Sequence, residues 1–418
     1  MHLTQLPTLL ALTLLSPVPL LAQTAPAPGS LLPGGPAKWQ LAWSDEFDYP
    51  DSQLDENWAS QNAPSTHILS SRWRENAQVR DGTLRLINKK EKRGGQDWTS
   101  GNIWTKKPFL YGYFECRYRY AAAEGTNNSF WIMTQGKQPP DQKAFEIDIN
   151  EGHFPNEINT NIHNHTDVTV VNGRKTHPSS SKSFAFGVRP DVTVQLEIPV
   201  KTRRIRLTST HGSHFHLGEF RIYHPNPAGY PDPFSPTADK DKPGLTNYAK
   251  DSKIKVSGFH KNGKDTTEKL IDGQPNTTWI TQTDGTKSVE FTLAEEQTIG
   301  CIQFLNGWKD RGRWKAMMDN YQLEYFNGSK WIEMAKFDIL DGQYNFARDF
   351  HTYGLEWTEK ELIFYFNGKE LRREKNEICH QPAPVWLSLA IIGWAGKISN
   401  AIDGTFMEVD YVRIYQRK

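Results

Sequence analysis

Cysteine is scarce in this chain: three in 418 residues, Cys116, Cys301 and Cys379, far apart and with no C-x-x-C pair. That excludes a disulfide scaffold and a cysteine-type zinc site as organising principles. What is left is three buried thiols acting as small hydrophobes, or one bridge with one free thiol. A surplus of one charge is also lacking. Forty-nine basic residues face 48 acidic ones, a net of +1, so no global surface that seeks a polyanion such as nucleic acid is expected. Long hydrophobic runs are absent as well. The longest, Leu9 to Leu21, is broken by Pro17 and Pro19 and falls short of the ~20 residues a membrane span needs. No Lys or Arg precedes it, yet it ends in "LLAQ", which suits cleavage after Ala22. Residues 1–22 are therefore expected to be a secretory signal and 23–37 a linker, with the protein periplasmic or extracellular. No Cys follows Ala22, which argues against a lipid anchor there.

Long segments of helical period are missing too. In their place stand short alternating runs, among them "TLRLINK" (83–89), "YGYFECRYRY" (111–120), "FWIM" (130–133), "ELIFYFNGKEL" (361–371) and "MEVDYVRIYQ" (407–416). Asn367-Gly368 is a type I′ hairpin signal. The pattern predicts an all-β fold, a β-sandwich jelly roll. Fourteen tryptophans and 12% aromatics suit either an aromatic-rich core or recognition of flat apolar surfaces such as sugar faces.

The stretch "AFEIDINEGH" (144–153) reads as a strand carrying Glu146, Asp148 and Glu151 with no Lys or Arg between them. Alternation puts Glu146 and Asp148 on one face and Phe145, Ile147 and Ile149 on the other. Strict alternation would also bury Glu151 with the isoleucines, at severe cost. A bulge near Ile149–Asn150 returns it to the acid face. Five steps of ~3.3 Å, shortened by bulge and twist, let the outer carboxyls lean toward the roughly 5 Å that retaining glycosidases use.

The motif Glu146-x-Asp148-x-x-Glu151 resembles glycoside hydrolase family 16, in its bulged laminarinase, agarase and porphyranase branch. "LAWSDEFDYP" (41–50), "SGNIWTKKPFLYGYFECRYRY" (100–120), "NSFWIM" (128–133), "DFHTYGLEWTEKELIFYFNG" (349–368) and "VDYVRIY" (409–415) extend the resemblance over about 38–187 plus 343–418. The resemblance implies Glu146 as nucleophile, Glu151 as acid/base and Asp148 as the assisting carboxylate. His163, in "EINTNIHNHT" (157–166), matches a contact to the sugar or nucleophile. Two other readings of His163-x-His165 stay open, a metal pair as in cupins and a solvated polar strand. Trp131 matches a sugar-stacking tryptophan. Trp98, Trp104 and Trp394 are candidates for the same work, each with core packing as its rival role. Asn76, in "RWRENAQVRDGTLRL" (72–86), is expected to border the cleft. The family often carries a structural calcium, for which Glu46 and Asp410 are the candidate ligands, ion pairing being their alternative. Catalysis is expected to need no cofactor.

Residues 188–342 have another texture. "KTRRIRLTSTHGSHFHLGEFRIY" (201–223), a Pro-rich joint to Gly244, "KLIDGQPNTTWI" (269–280) and the strands after it resemble a discoidin-like (coagulation factor 5/8 type C) β-sandwich with its order permuted. A second, inserted β-sandwich is therefore expected, with the old termini joined. The expected whole is a secreted, monomeric, retaining endo-β-glycanase whose partner is a polysaccharide, a β-galactan or a β-1,3-glucan, with no nucleic acid and no membrane span. The competing class is a carbohydrate-binding protein on the same scaffold without catalysis.

Overall fold

The computed structural model describes residues 25–261 and 266–418. The leader expected over 1–22 and its cleavage site lie outside these residues. Among the described residues no helix is long and apolar enough to cross a membrane.

The chain is all-β. Seven strands form one sheet in the order Ser179–Ala185, Glu157–Asn164, Phe145–His153, Thr126–Met133, Val385–Ile391, Asn102–Thr105 and Trp58–Ser60. An eight-stranded sheet backs it: Lys369–Lys375, Glu361–Phe366, His351–Trp357, Gly112–Arg119, Phe406–Arg417, Thr83–Ile87 and Ala77–Arg80, with Trp39–Asp45 also paired to Phe406–Arg417. Alternation explains the sandwich. Phe130, Ile132, Phe145 and Ile147 from the first sheet meet Phe114, Cys116, Val412 and Ile414 from the second in one buried core, and the remaining faces turn outward.

A third sheet stands apart. Asp191–Ser209 and Lys287–Asn306 pair along most of their length, flanked by His216–Tyr223, Trp279–Ile280, Lys253–Val256, Asn320–Phe326 and Trp331–Asp338. It has its own core, including Ile205, Phe220, Trp279, Phe291, Phe304 and Leu323. Phe184 and Phe186 still pack on the first core whereas Val192 packs on the second; on the return, Ala335 belongs to the second and Tyr344 to the first. Both crossings meet at Gly187, whose φ of +83° suits glycine and whose missing side chain leaves room for Tyr344 and Ile339. The three cysteines are separate, buried thiols.

The bulge lies where alternation demanded it. Asp148 pairs with Trp131 and Asn150 with Phe130, so on that side Ile149 is skipped; on the other side Asp148 pairs with Asn161 and Glu151 with Asn159. The residue turned inward at the kink is Asn150, fully buried, whose Nδ2 donates to Tyr118 Oη (2.6 Å) and Tyr120 Oη (2.8 Å). Gly152 follows, and a methyl at its Cα would sit inside the Tyr120 ring. Gly152→Ala is therefore expected to push Tyr120 off Asn150 and to cost about 1–3 kcal/mol, read as a lower Tm and denaturation midpoint. Unchanged stability would mean that Tyr120 does not clamp the kink.

Candidate active site

Strand register assembles the outer face of the seven-stranded sheet in rungs. One rung runs Met133, Glu146, His163, Ser179. The next runs Trp104, Trp386, Trp131, Asp148, Asn161, Ser181, and the third Asn102, Ser388, Ser129, Glu151, Asn159, Ser183. The three acids thus stand on three successive rungs of one face, with tryptophans on one flank and histidines on the other.

Their surroundings divide them. Asp148 is buried, and burial is the main force raising its carboxyl well above 3.8; the Glu151 and Glu146 charges, and a hydrogen bond to Glu146 that needs the Asp148 proton, push the same way. For Glu146, burial alone would raise the carboxyl. The hydrogen bond from His165 Nε2 (2.9 Å), the charges of His163 and His165 and the bond from Asp148 outweigh it, and the net shift is downward. Glu151 moves up, again by burial first and then by the Glu146 charge, opposed by the bond from Asn127 Nδ2 (2.7 Å) and by His153. One end of the strand therefore favours the anion, and the other the protonated form, more than an ordinary glutamate does. That pairing suits attack by one carboxylate and proton donation by the other.

The histidines form a chain. His163 Nε2 lies 3.2 Å from Asp148 Oδ2, but that oxygen has no formed hydrogen bond, so alignment is poor and the contact is chiefly electrostatic. His163 Nδ1 lies 2.8 Å from His177 Nε2. With the proton on the His163 nitrogen that faces the carboxyl, Nδ1 accepts from His177. Burial, helped by the charges of His177 and His165, lowers the affinity of His163 for a second proton, against the pull of Glu146. The rings of His163 and His165 lie parallel, 5.6 Å between centroids, and His177 closes on both. Glu146, Asp148 and His163 are also the group of three ligand-type side chains within mutual reach among the described residues.

On the other flank Trp386 is sandwiched between Trp104 (4.5 Å) and Trp131 (4.8 Å), and Trp131 Nε1 donates to Ser388 Oγ (3.1 Å). Trp104 and Trp131 keep partly open edges. Trp394 is 69% exposed just past Ile391, which pairs with Thr126, so it stands beyond the Glu151 end of the acid strand.

Several expectations need correcting. Asn76 is wholly buried, its Nδ2 donating to Ile87 O and Thr99 Oγ1, and cannot reach a sugar. Trp98 is a core residue with Ala123, Ile391 and Ile402. Glu46 is held bidentately by Arg413 (2.9 and 2.8 Å), and Asp410 pairs with Arg117 (2.5 Å). A calcium ion at these acids would have to displace two guanidinium groups, so the donor set does not fit one. Sequence reasoning missed Trp386, Asn127, His165 as the partner of Glu146, and His177. Trp386 had a legible signal in the alternation of "VWLSLAI" (385–391); the others depend on pairing that no local pattern encodes.

An all-β sandwich with opposed carboxylates on a bulged strand defines a class of carbohydrate-active fold, and comparison with known proteins narrows it. The profile of "Glycosyl hydrolases family 16" matches residues 66–187 and 316–413, just over half the chain. This chain belongs to glycosyl hydrolase family 16. The second matched span opens inside the third sheet, where Asn320–Phe326 is hydrogen-bonded to Asp191–Ser209. A β-glucanase of Rhodothermus marinus is 29% identical over 170 residues, 35% of this chain and 57% of the relative. The endo-1,3-1,4-β-glycanase ExsH of Rhizobium meliloti (strain 1021) is 37% identical over 71 residues, 16% of this chain and 15% of the relative. The chain thus spans little more than half of the first relative and a small part of the second. The catalytic domain of an endo-1,3-β-glucanase (laminarinase) from Thermotoga petrophila RKU-1 superposes with a TM-score of 0.46 at 16% identity, covering 91% of this chain and 98% of that one.

Because Asp148 holds its proton more tightly folded than unfolded, its contribution to stability is complete below its ordinary value of 3.8 and drains away as pH rises toward the folded value. Asp148→Asn keeps the shape and removes the titration. Its Tm advantage over the native protein is expected to be absent in acid and to grow as pH rises above about 4. A pH-independent difference in Tm would contradict the upward shift.

Proposed function

We propose that this protein is an exported endo-β-glycanase that cleaves internal linkages of a β-linked polysaccharide, a β-1,3-glucan or a β-galactan, by double displacement with retention. The observation that carries the reading is the split between Glu146, lowered, and Glu151, raised, on one bulged strand. Glu146 attacks the anomeric carbon while Glu151 protonates the departing oxygen. Glu151 then takes a proton from water, which hydrolyses the glycosyl ester and restores both carboxyls. Asp148 donates a hydrogen bond to Glu146 and releases it from repulsion in the resting site. His165 holds the nucleophile, and His163 and His177 border it. Trp131 and Trp104, braced by Trp386, offer the ring-stacking surface, and Trp394 extends it beyond the acid/base.

The names of the relatives support a β-glucan. The polar strand "NTNIHNH" supports a galactan. We read the third sheet as a permuted discoidin-like module inserted into the jelly roll, and the bulge as membership of the branch that includes laminarinases and agarases. The presence of both glutamates argues against a role limited to binding.

Glu146→Ser is expected to abolish turnover on a panel of laminarin, agarose, porphyran and mucin glycans. Glu151→Gln is expected to lower kcat about 10²–10⁴-fold and to flatten the alkaline limb of the pH profile. Proton NMR of the first products should show the β-anomer. An initial α-anomer means inversion, and full activity of Glu146→Ser removes the nucleophile assignment.

A further inference from the structure

Five arginines are buried among the described residues: Arg72, Arg117, Arg221, Arg372 and Arg413. Four have acceptors. Arg117 pairs with Asp410, Arg221 with Glu219, Arg413 with Glu46, and Arg372 donates to the Thr160 and Ser180 carbonyls and hydroxyls. Arg72 is the exception. It is 6% exposed, its Nε is buried without an acceptor, and among the described residues no carboxylate lies within ion-pair distance of it. Burial lowers its guanidinium to about 10, which still leaves it charged at neutral pH. An uncompensated buried charge is among the most unfavourable features a fold can carry. A ligand that supplies the missing acceptor turns the same feature into a recognition element.

Its placement says what kind of ligand. The 61–72 segment is laced to the tryptophan flank of the seven-stranded sheet. Gln61 N donates to Asn102 O (3.0 Å), Leu69 N to Ile391 O (2.9 Å), and Ile391 N to Ser70 Oγ (3.3 Å). The strands so engaged are those that carry Trp104 and Trp386. Arg72 itself is clamped by both main-chain bonds to Ala63 (2.9 and 3.0 Å) and shares its side of the short strand with Ser70. Exposed His67, five residues before it on the same segment, feels both the Arg72 and the Glu146 charges. The backbone of Arg72 is pinned, on a segment laced to the strands of the stacking surface, and its side-chain Nε has no acceptor.

We infer that Arg72 binds an anionic oxygen group, a sulfate ester or a carboxylate, on a sugar of the bound polysaccharide. The inference rests on reading this face as a glycanase site, and it makes an anionic glycan the preferred substrate despite the near-zero net charge of the chain. Arg is the side chain suited to this, because its planar fork meets two oxyanion oxygens at once.

Two measurements test it. The first needs no catalysis: thermal melting in inorganic sulfate against chloride of matched ionic strength, for the native chain and for Arg72→Met. A sulfate-specific rise in Tm that Arg72→Met loses is expected; equal sulfate responses of the two proteins overturn the proposal. The second compares kcat/KM on a sulfated galactan and its desulfated product, and on a uronate-bearing glycan and its carboxyl-reduced product. In one of the two pairs the native enzyme is expected to prefer the anionic polymer by about tenfold or more, the size of one charged hydrogen bond. Arg72→Met should collapse that ratio and Arg72→Lys restore part of it. The pair that responds identifies sulfate or carboxylate. A ratio near one in both pairs, or one untouched by Arg72→Met, rejects the inference. Should the native chain cut no polymer, the glycanase reading fails, and the sulfate melt still decides whether Arg72 is an anion site.

Discussion

The hydrogen bonds from Asn150 to the Tyr118 and Tyr120 hydroxyls are the constraint on which the active face depends. Putting three acids on one side of a single strand requires an extra residue, and that residue must turn into the core. The two phenols also donate to main-chain carbonyls, Tyr118 to Asn128 O (3.4 Å) and Tyr120 to Glu157 O (3.0 Å). An apolar side chain at the kink would therefore cost them an incoming hydrogen bond, and a buried Asn amide without acceptors would itself be costly. The Asn150 amide nitrogen finds both its acceptors there, so the kink is held from beneath by the aromatic stack of Tyr118, Tyr120 and Tyr353. Glycine at 152 lets that stack approach the strand.

Once the acids share a face, electrostatics does the sorting. Three carboxylates at close range cannot all be ionised. The protein resolves this with histidines and an asparagine rather than with Arg or Lys. A guanidinium beside Glu146 would neutralise it permanently, whereas His165 donates a hydrogen bond and leaves most of the charge in place. The cost falls on buried Asp148, whose carboxyl burial and the neighbouring acids push well above its ordinary value. Functional sites commonly hold such locally unfavourable arrangements that the surrounding fold over-determines.

The third sheet is joined to the sandwich at one place in space, although its two junctions are far apart in sequence. Two separate cores with adjoining crossings account for how the chain leaves the sandwich for the third sheet and returns to it. The handover at Phe186, Gly187 and Tyr344 is tight, so the added unit is seated on the sandwich rather than tethered by a loose linker.

The all-β class, the strand of acids and its bulge were legible in the linear chain because each follows from a period-two pattern and from the cost of burying a carboxylate. Trp131 and Trp104 were legible as aromatic residues on alternating strands. The failures have a common cause. Asn76 and Trp98 carry the right chemistry for a cleft, yet what covers a side chain is set by segments distant in sequence, and both are covered. Glu46 and Asp410 read as metal ligands until Arg413 and Arg117 are seen to hold them. Trp386 had an alternating pattern around it, but its place between Trp104 and Trp131 follows from register between strands far apart along the chain. Asn127 and His177 joined the site through side-chain contacts that no local pattern encodes. The amino-acid sequence by itself determined which residues alternate and which acids must share a face, since those are local consequences of backbone geometry. The tertiary structure alone decided which neighbours each of them meets, because burial, ion pairing and proton affinity are properties of the packed surroundings.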